Sequence, residues 1–451
     1  MNLIILNQVK IGASLISRYV VIIALASVAL IIIGIFLIFK GISPQTLAPI
    51  HEEVKGCKFL IVFSQELNKT SKDVLVSIAS VISRYLSRSG VKCQGYEFLS
   101  KNRISNYTIP VYPALIIESS TLPSDLKDAF LKLSDRHWLL KPPYLYYLIQ
   151  SGGGKVGMEY IYNSKAYIVE GLIDIPNLKT SLENTEELKN VLTWTSSTKV
   201  ISIEKVSYER YPNLPYYPAI VIVPMKNINI SAYSPIIISL EDNVFTYEPL
   251  WYNTNILPYI LNVSVGNIML EVHSRPIFKG PHLGNTTAPV KAIIFEDLNC
   301  PYCARLFNNT LPIMKVKYVS EGYLMVTFNI LTVHEESKEL HEALTCYYLT
   351  GMSDGNYYEL LLKLYRLVIK GKHISIDDFR MLTNVDTVKL FGKCNATSLL
   401  NEFSGQARRY GVAGTPAILL WSDSKNVGVL IIGYVDIHVI DEIMNTLLNL
   451  G

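Results

Sequence analysis

Cysteine is scarce in this chain, six among 451 residues, and neither sign of charge dominates, with 41 basic against 38 acidic side chains and a net charge of +3. So even a balance leaves no electrostatic footprint for nucleic acid. No two histidines stand four apart: His334-Glu335 and His341-Glu342 meet Lys338 and Thr345 where a metalloprotease helix needs its second histidine. They read as polar positions of a helix. Gly152-Gly153-Gly154-Lys155 lacks the spacing and the hydroxyl of a phosphate loop and reads as a hinge. There is a single CxxC, so the second ligand pair of a zinc site is missing, and Ala304 stands where a haem attachment motif needs histidine. As a structural staple so short a loop would stabilise little.

What is present is an apolar run, Val290 to Phe295, leading through Glu296, Asp297, Leu298 and Asn299 into Cys300-Pro301-Tyr302-Cys303. The pattern predicts a strand feeding a dithiol into a helix. Pro301 suits the first helical position, because a helix start leaves that N–H unpaired anyway, and this puts Cys300 at the N-cap. Unpaired amides and the positive end of the helix dipole then favour its thiolate and can lower a cysteine pKa from about 8.5 to as low as about 3.5. Cys300 is therefore expected to be the exposed, attacking thiol. Cys303, one turn on, can close a disulfide with it or resolve a mixed disulfide formed there.

Phe295-Glu296-Asp297 before the dithiol, Gly411-Val412-Ala413-Gly414-Thr415-Pro416 far behind it and a helical stretch between them resemble the DsbA-like branch of the thioredoxin superfamily. The resemblance covers roughly 290–451. It implies a central sheet flanked by helices, interrupted by an all-helical insertion at about 334–409, and a thiol-disulfide oxidoreductase activity that needs no cofactor beyond the Cys300–Cys303 disulfide. It also makes Pro416 a cis-proline facing the dithiol, with the Thr415 backbone offered to an extended client; X-Pro bonds alone reach cis at low cost. Tyr302 and Pro301, the dipeptide between the cysteines, would tune the couple. The family's buried carboxylate six residues before the nucleophile is replaced by Ile294, which leaves Asp297 and Glu296 as candidate proton acceptors for Cys303. Either could instead cap the strand end.

Ahead of this domain, Tyr19 to Phe39 is a run of 21 uncharged residues between Arg18 and Lys40. At about 1.5 Å per residue it reaches about 31 Å, which predicts a transmembrane helix. Residues 1–18 would then be a cytoplasmic N-terminus and 40–55 a tether, with the bulk of the chain outside the cytoplasm, where disulfide chemistry operates. Seven Asn-x-Ser/Thr sequons, at Asn68, Asn106, Asn229, Asn262, Asn285, Asn308 and Asn395, suit such an exposed location.

Between tether and dithiol domain a pattern recurs. Strand Lys58–Ser64, helix Thr70–Arg88 with Thr70 and Asp73 as a capping pair, and strand Val91–Leu99 lead to Ile109-Pro110-Val111-Tyr112-Pro113-Ala114. Strand Ala166–Ile173, helix Leu182–Trp194 and strand Val200–Val206 lead to Leu214-Pro215-Tyr216-Tyr217-Pro218-Ala219. Both match Thr415-Pro416-Ala417 in placing Pro-Ala before an apolar strand, which predicts two degenerate thioredoxin-like modules without CxxC, at 56–150 and 155–284, ahead of the catalytic one at 290–451. Aromatics such as Tyr144, Tyr146, Tyr147, Trp251 and Tyr252 then either bind unfolded chains or build module interfaces.

The whole reads as α/β: an N-terminal transmembrane helix followed by thioredoxin-like modules. The expected function is an anchored disulfide oxidase or isomerase for reduced secreted clients, with a quinone-linked membrane protein as reoxidising partner. A reductase of the same fold and a binding scaffold with an inherited dithiol are the alternatives. Cys57 pairs with Cys93 if a βαβ unit sets their strands side by side, and Cys346 pairs with Cys394 within the insertion.

Overall fold

The structure, a computed structural model, describes residues 57–261 and 268–449. The first sheet is built on Cys57–Phe63, a nearly continuous apolar strand that can be covered on both faces. Cys93–Ser100 lies parallel to it on one side and Ala114–Glu118 antiparallel on the other, followed by His137–Leu140 and Phe130–Lys132. The second sheet repeats this order around Asn163–Val169, with Lys199–Val206 parallel, Ala219–Pro224 antiparallel, then Val244–Tyr247 and Ile237–Glu241.

The third sheet is centred on Val290–Glu296, with Leu324–Ile330 parallel and Ala417–Ser422 antiparallel, then Val427–Ile432. It is larger than the other two. Ile268–Val272 pairs with Val427–Ile432, Tyr216–Tyr217 pairs with Ile268–Val272, and His282–Leu283 closes the opposite edge, giving seven strands. The third sheet thus begins well before residue 290 and draws its outer strands from within 155–284. In all three sheets the third strand follows a cis proline: Tyr112–Pro113, Tyr217–Pro218 and Thr415–Pro416.

Alternation along the central strand of the third sheet, Val290–Glu296, divides the core. Ala292 and Ile294 face the dithiol helix, the insertion and the closing helix Ile437–Asn449, whereas Ile293 and Phe295 share a second cluster with Ile220, Tyr252 and Trp421. The insertion supplies helices Lys338–Leu349, Asp354–Ile369, Ile376–Thr383, Thr387–Phe391 and Thr397–Arg409. The dithiol helix runs from Pro301 to Val319 and widens into π turns at Leu306–Thr310 and Lys315–Val319, on either side of Pro312, which has no N–H to give to the ladder.

Several local expectations change. Helix Lys69–Arg88 is capped by Asn68, whose Oδ1 accepts from Ser71 N at 2.8 Å, so the cap lies two residues before Thr70. Asn is as good an N-cap as Thr, and Lys72 N already bonds Asn68 O at 3.1 Å. The glycine triplet is not a hinge: it closes helix Pro142–Ser151 through Gly153 N→Gln150 O and Gly154 N→Ile149 O, with Gly153 at φ +67° and Gly154 packed against Val74. The aromatics are joints. Tyr146 stacks on Trp194 at 5.0 Å, and Trp251 meets Trp194 edge-on at 6.3 Å.

The membrane expectation is corrected. Tyr19–Phe39 lies outside the described residues, as do 1–18 and 40–55. Among the described residues no helix is long and apolar enough to cross a membrane. The 20-residue helix Lys69–Arg88 has the length, but Lys69, Lys72, Asp73, Arg84 and Arg88 place charge along it that hydrocarbon does not accommodate. The single-pass anchor, its orientation and the membrane localisation drawn from it are therefore set aside.

Cys57 is bridged to Cys93 across the parallel pair of the first sheet, and Cys346 to Cys394 within the insertion, 36 and 48 residues apart in sequence. By chain entropy the longer closure is worth about 4 kcal/mol. Cys346→Ser should accordingly lower the unfolding free energy by about 2–4 kcal/mol in urea melts run without reductant. A melt unmoved by the substitution would contradict that bridge.

Candidate active site

Cys300 is the N-cap of the dithiol helix (φ −80°, ψ 117°), and its Sγ accepts from Cys303 N–H at 3.4 Å. The other arm of the sheet closes on it, with the Thr415 carbonyl 3.2 Å from the same sulfur. Tyr302 projects into solvent, 59% exposed, while Cys300 keeps only 4% of its surface and Cys303 none. Cys300, expected to be exposed, is therefore almost wholly buried. Both thiols are free, so this is the dithiol form.

The two sulfurs differ in acidity. A hydrogen bond from the Cys303 thiol, opposed by burial and helped by Thr415 and the N–H groups of Cys303 and Tyr302, brings the Cys300 pKa down to about 6. Burial pushes Cys303 well above the ordinary thiol value, and a thiolate at Cys300 pushes it further. Thiolate formation is thus favoured at Cys300 and opposed at Cys303.

Glu296 and Asp297 end the central strand, and both are fully buried. Their environments are opposite. Burial raises Glu296 to about 8; Tyr365 O–H donates to its Oε2, while Oε1 has no hydrogen-bond partner. Burial also acts on Asp297, but His341 and the N–H groups of Val333 (2.8 Å), His334 (2.9 Å) and Asn299 (3.0 Å) outweigh it and hold the carboxyl below its usual value. His341 is itself lowered by burial to about 4, against the pull of Asp297. Its Nε2 accepts from Leu298 N–H at 3.2 Å, which assigns the proton to Nδ1, 2.9 Å from Thr332 Oγ1. At neutral pH the strand end thus carries a protonated Glu296, an ionised Asp297 and a neutral His341.

The insertion also holds the residue before the nucleophile. Asn299 Nδ2 donates to Ser337 Oγ (3.0 Å) and Ile374 O (3.1 Å), and its Oδ1 accepts from Ile374 N (2.8 Å). Cys300, Cys303, Pro301, Tyr302, Glu296, Asp297, Thr415 and Pro416 are thus brought to one place, while the bridges Cys57–Cys93 and Cys346–Cys394 stand apart from it. Sequence reasoning missed Asn299, His341 and Tyr365. The weak signal for His341 and Tyr365 was a polar atom on the buried face of an amphipathic helix, which apolar periodicity counts as core or ignores.

Residues 278–424 match the family model described as thioredoxin. Solved structures similar to the chain include alpha-DsbA1 of Wolbachia pipientis (18% identity, 39% of this chain and 96% of that one, TM-score 0.32). Others are oxidised BdbD of Bacillus subtilis (20%, 39% and 97%, 0.34) and DsbA of Chlamydia trachomatis (16%, 39% and 95%, 0.28). No curated protein matches the chain. The match to thioredoxin thus lies over the part of the chain that carries the dithiol.

Glu296 gives the site a pH signature. Its folded pKa is raised, so its contribution to stability is complete below the unfolded value near 4.5 and is lost as pH rises towards about 8. Glu296→Gln should remove that slope, gaining on the parent by up to about 1.4 kcal/mol per pH unit across this window. Denaturant melts at pH 5 and pH 8 read the difference; parallel losses in both proteins would contradict a protonated, buried Glu296.

Proposed function

We propose that this chain is a thiol-disulfide oxidoreductase working on the cysteines of client proteins, in the direction of an oxidase or isomerase. The observation that carries the reading is the asymmetry of the dithiol, an acidic Cys300 at the helix cap beside a buried Cys303 whose pKa is raised. A couple whose reduced form is stabilised as a thiolate has a disulfide that is easily reduced and so readily passed on.

In the oxidising direction a client thiolate attacks Cys300 Sγ of the Cys300–Cys303 disulfide. The S–S bond breaks, Cys303 leaves with the electron pair, and Glu296, neutral at pH 7, protonates it. A second client thiolate then attacks the client sulfur of the mixed disulfide and releases Cys300 as thiolate. Two electrons have passed from client to Cys300–Cys303, and the client holds a new disulfide. In reverse the Glu296 carboxylate accepts the Cys303 proton. Asp297 acts indirectly, fixing the loop through Val333 and His334. The backbone of Thr415, ahead of Pro416, is the edge to which an extended client would pair. Returning the dithiol to disulfide requires an external two-electron oxidant, for which a quinone-linked protein is our candidate.

Two measurements test this. Cys303→Ser should trap client mixed disulfides on Cys300, and trapping by Cys300→Ser alone would reverse the roles. Equilibration with glutathione should give a potential of about −120 to −230 mV. A value near −270 mV, that of thioredoxin, would instead make the protein a reductase.

A further inference from the structure

The residues just ahead of the three strand-leading prolines have different fates. Ahead of Pro113, Val111–Tyr112 pairs antiparallel with Glu159–Tyr160, setting Tyr112 opposite Glu159. Ahead of Pro218, Tyr216–Tyr217 pairs antiparallel with Ile268–Val272, setting Tyr217 opposite Glu271. Ahead of Pro416, no strand among the described residues pairs with Gly414–Thr415.

The two filled edges share more than direction. In each, the residue opposite the one preceding proline is a glutamate, and its carboxylate reaches the loop that leaves the central strand. Glu159 accepts from Ser64 Oγ. Glu271, 1% exposed, accepts from Leu172 N at 2.9 Å and Ile173 N at 2.6 Å and contacts His273. In the catalytic sheet the same loop delivers the dithiol. Ile175-Pro176-Asn177-Leu178 follows the central strand of the second sheet as Cys300-Pro301-Tyr302-Cys303 follows that of the third, each with a proline opening a helical turn, and Ile175 and Leu178 are buried in one apolar cluster with Met269 of the paired strand. Gly171 fits this arrangement, because a Cβ there would run into the Glu271 carboxylate. A cavity of about 350 Å³ remains beside Pro218, with Glu271 in its wall, but the backbone edge that an extended peptide would use is taken.

We propose that the edges ahead of Pro113 and Pro218 are peptide-binding grooves occupied in cis by this chain's own glutamate-bearing segments, Glu159–Tyr160 and Ile268–Val272. Both grooves are closed to other extended peptides and serve as joints. Ile268–Val272 couples the second module to the catalytic sheet, since its other edge pairs with Val427–Ile432. Among the described residues one of the three edges ahead of a cis proline is then open, at Thr415; only the naming of that edge as client-facing rests on the redox function proposed above.

The test uses the full chain with Cys300→Ser and Cys303→Ser, so that no thiol chemistry contributes. Adding Glu271→Ala, or Gly171→Ala to crowd the carboxylate, should speed amide hydrogen exchange at Leu172, Ile173 and Tyr217 by about tenfold or more, while Cys57–Phe63 and Ala417–Ser422 keep the parent's protection. A synthetic peptide with the sequence of residues 268–274 should bind these variants and not the parent. Unchanged exchange in the variants, or the peptide pairing at Tyr217 of the parent, would overturn the proposal. If both substitutions cost protection everywhere, Glu159→Ala at the first groove decides by the same readout at Tyr112. Failure of the redox reading would appear separately, as absence of disulfide transfer by the cysteine-bearing chain with these exchange rates unaltered.

Discussion

A sulfur held at an unpaired helix start, against a carbonyl from the far side of the same sheet, is the contact on which the site depends. Cys300 and Thr415 are 115 residues apart and meet at 3.2 Å because the central strand that delivers one is hydrogen-bonded to the strand that follows the other, with Phe295 opposite Ala417. Any shift in that register would move the carbonyl off the sulfur and turn the alternate faces of a strand packed on both sides the wrong way. The apolar packing of Ile293, Ile294 and Phe295 is therefore what positions the chemistry, and the helix cap supplies the acidity.

The helical insertion adds the second layer. Asn299, Asp297 and Glu296 are all held by groups that lie beyond strand Leu324–Ile330 or within the insertion: Ser337 and Ile374, Val333 and His334, and Tyr365. Adjacent carboxylates are thereby driven apart in pKa. The one with three N–H donors is ionised; the one with a single phenol and an unpartnered oxygen keeps its proton at neutral pH. That division leaves one buried carboxyl beside the dithiol that can take up or release a proton near neutral pH.

Much of this was legible in the sequence for physical reasons. Val290–Phe295 and Val427–Ile432 are apolar runs too short for helices, and Pro301 after Cys300 marks a helix start by the same logic that the observed cap follows. Strand Ile268–Val272 was not legible as part of the catalytic sheet, because membership of an edge is decided by a partner about 160 residues away and leaves no local periodic trace. Asn68 was passed over as a cap because Thr70 and Asp73 also satisfy the spacing, and hydroxyl, amide and carboxylate caps are near in energy. The choice between Glu296 and Asp297 could not be made from sequence, since both are acidic neighbours and only the burial and donors around each separate them.

The central claim is that the fold makes two chemically identical thiols unequal, and the most direct measurement is their separate titration in the reduced protein by the Cβ chemical shifts of Cys300 and Cys303. The account predicts a Cys300 midpoint near 6, with Cys303 still protonated well above the ordinary thiol range. A Cys300 midpoint at or above about 8.5, the value of an unperturbed cysteine, or a Cys303 that ionises first, would contradict it.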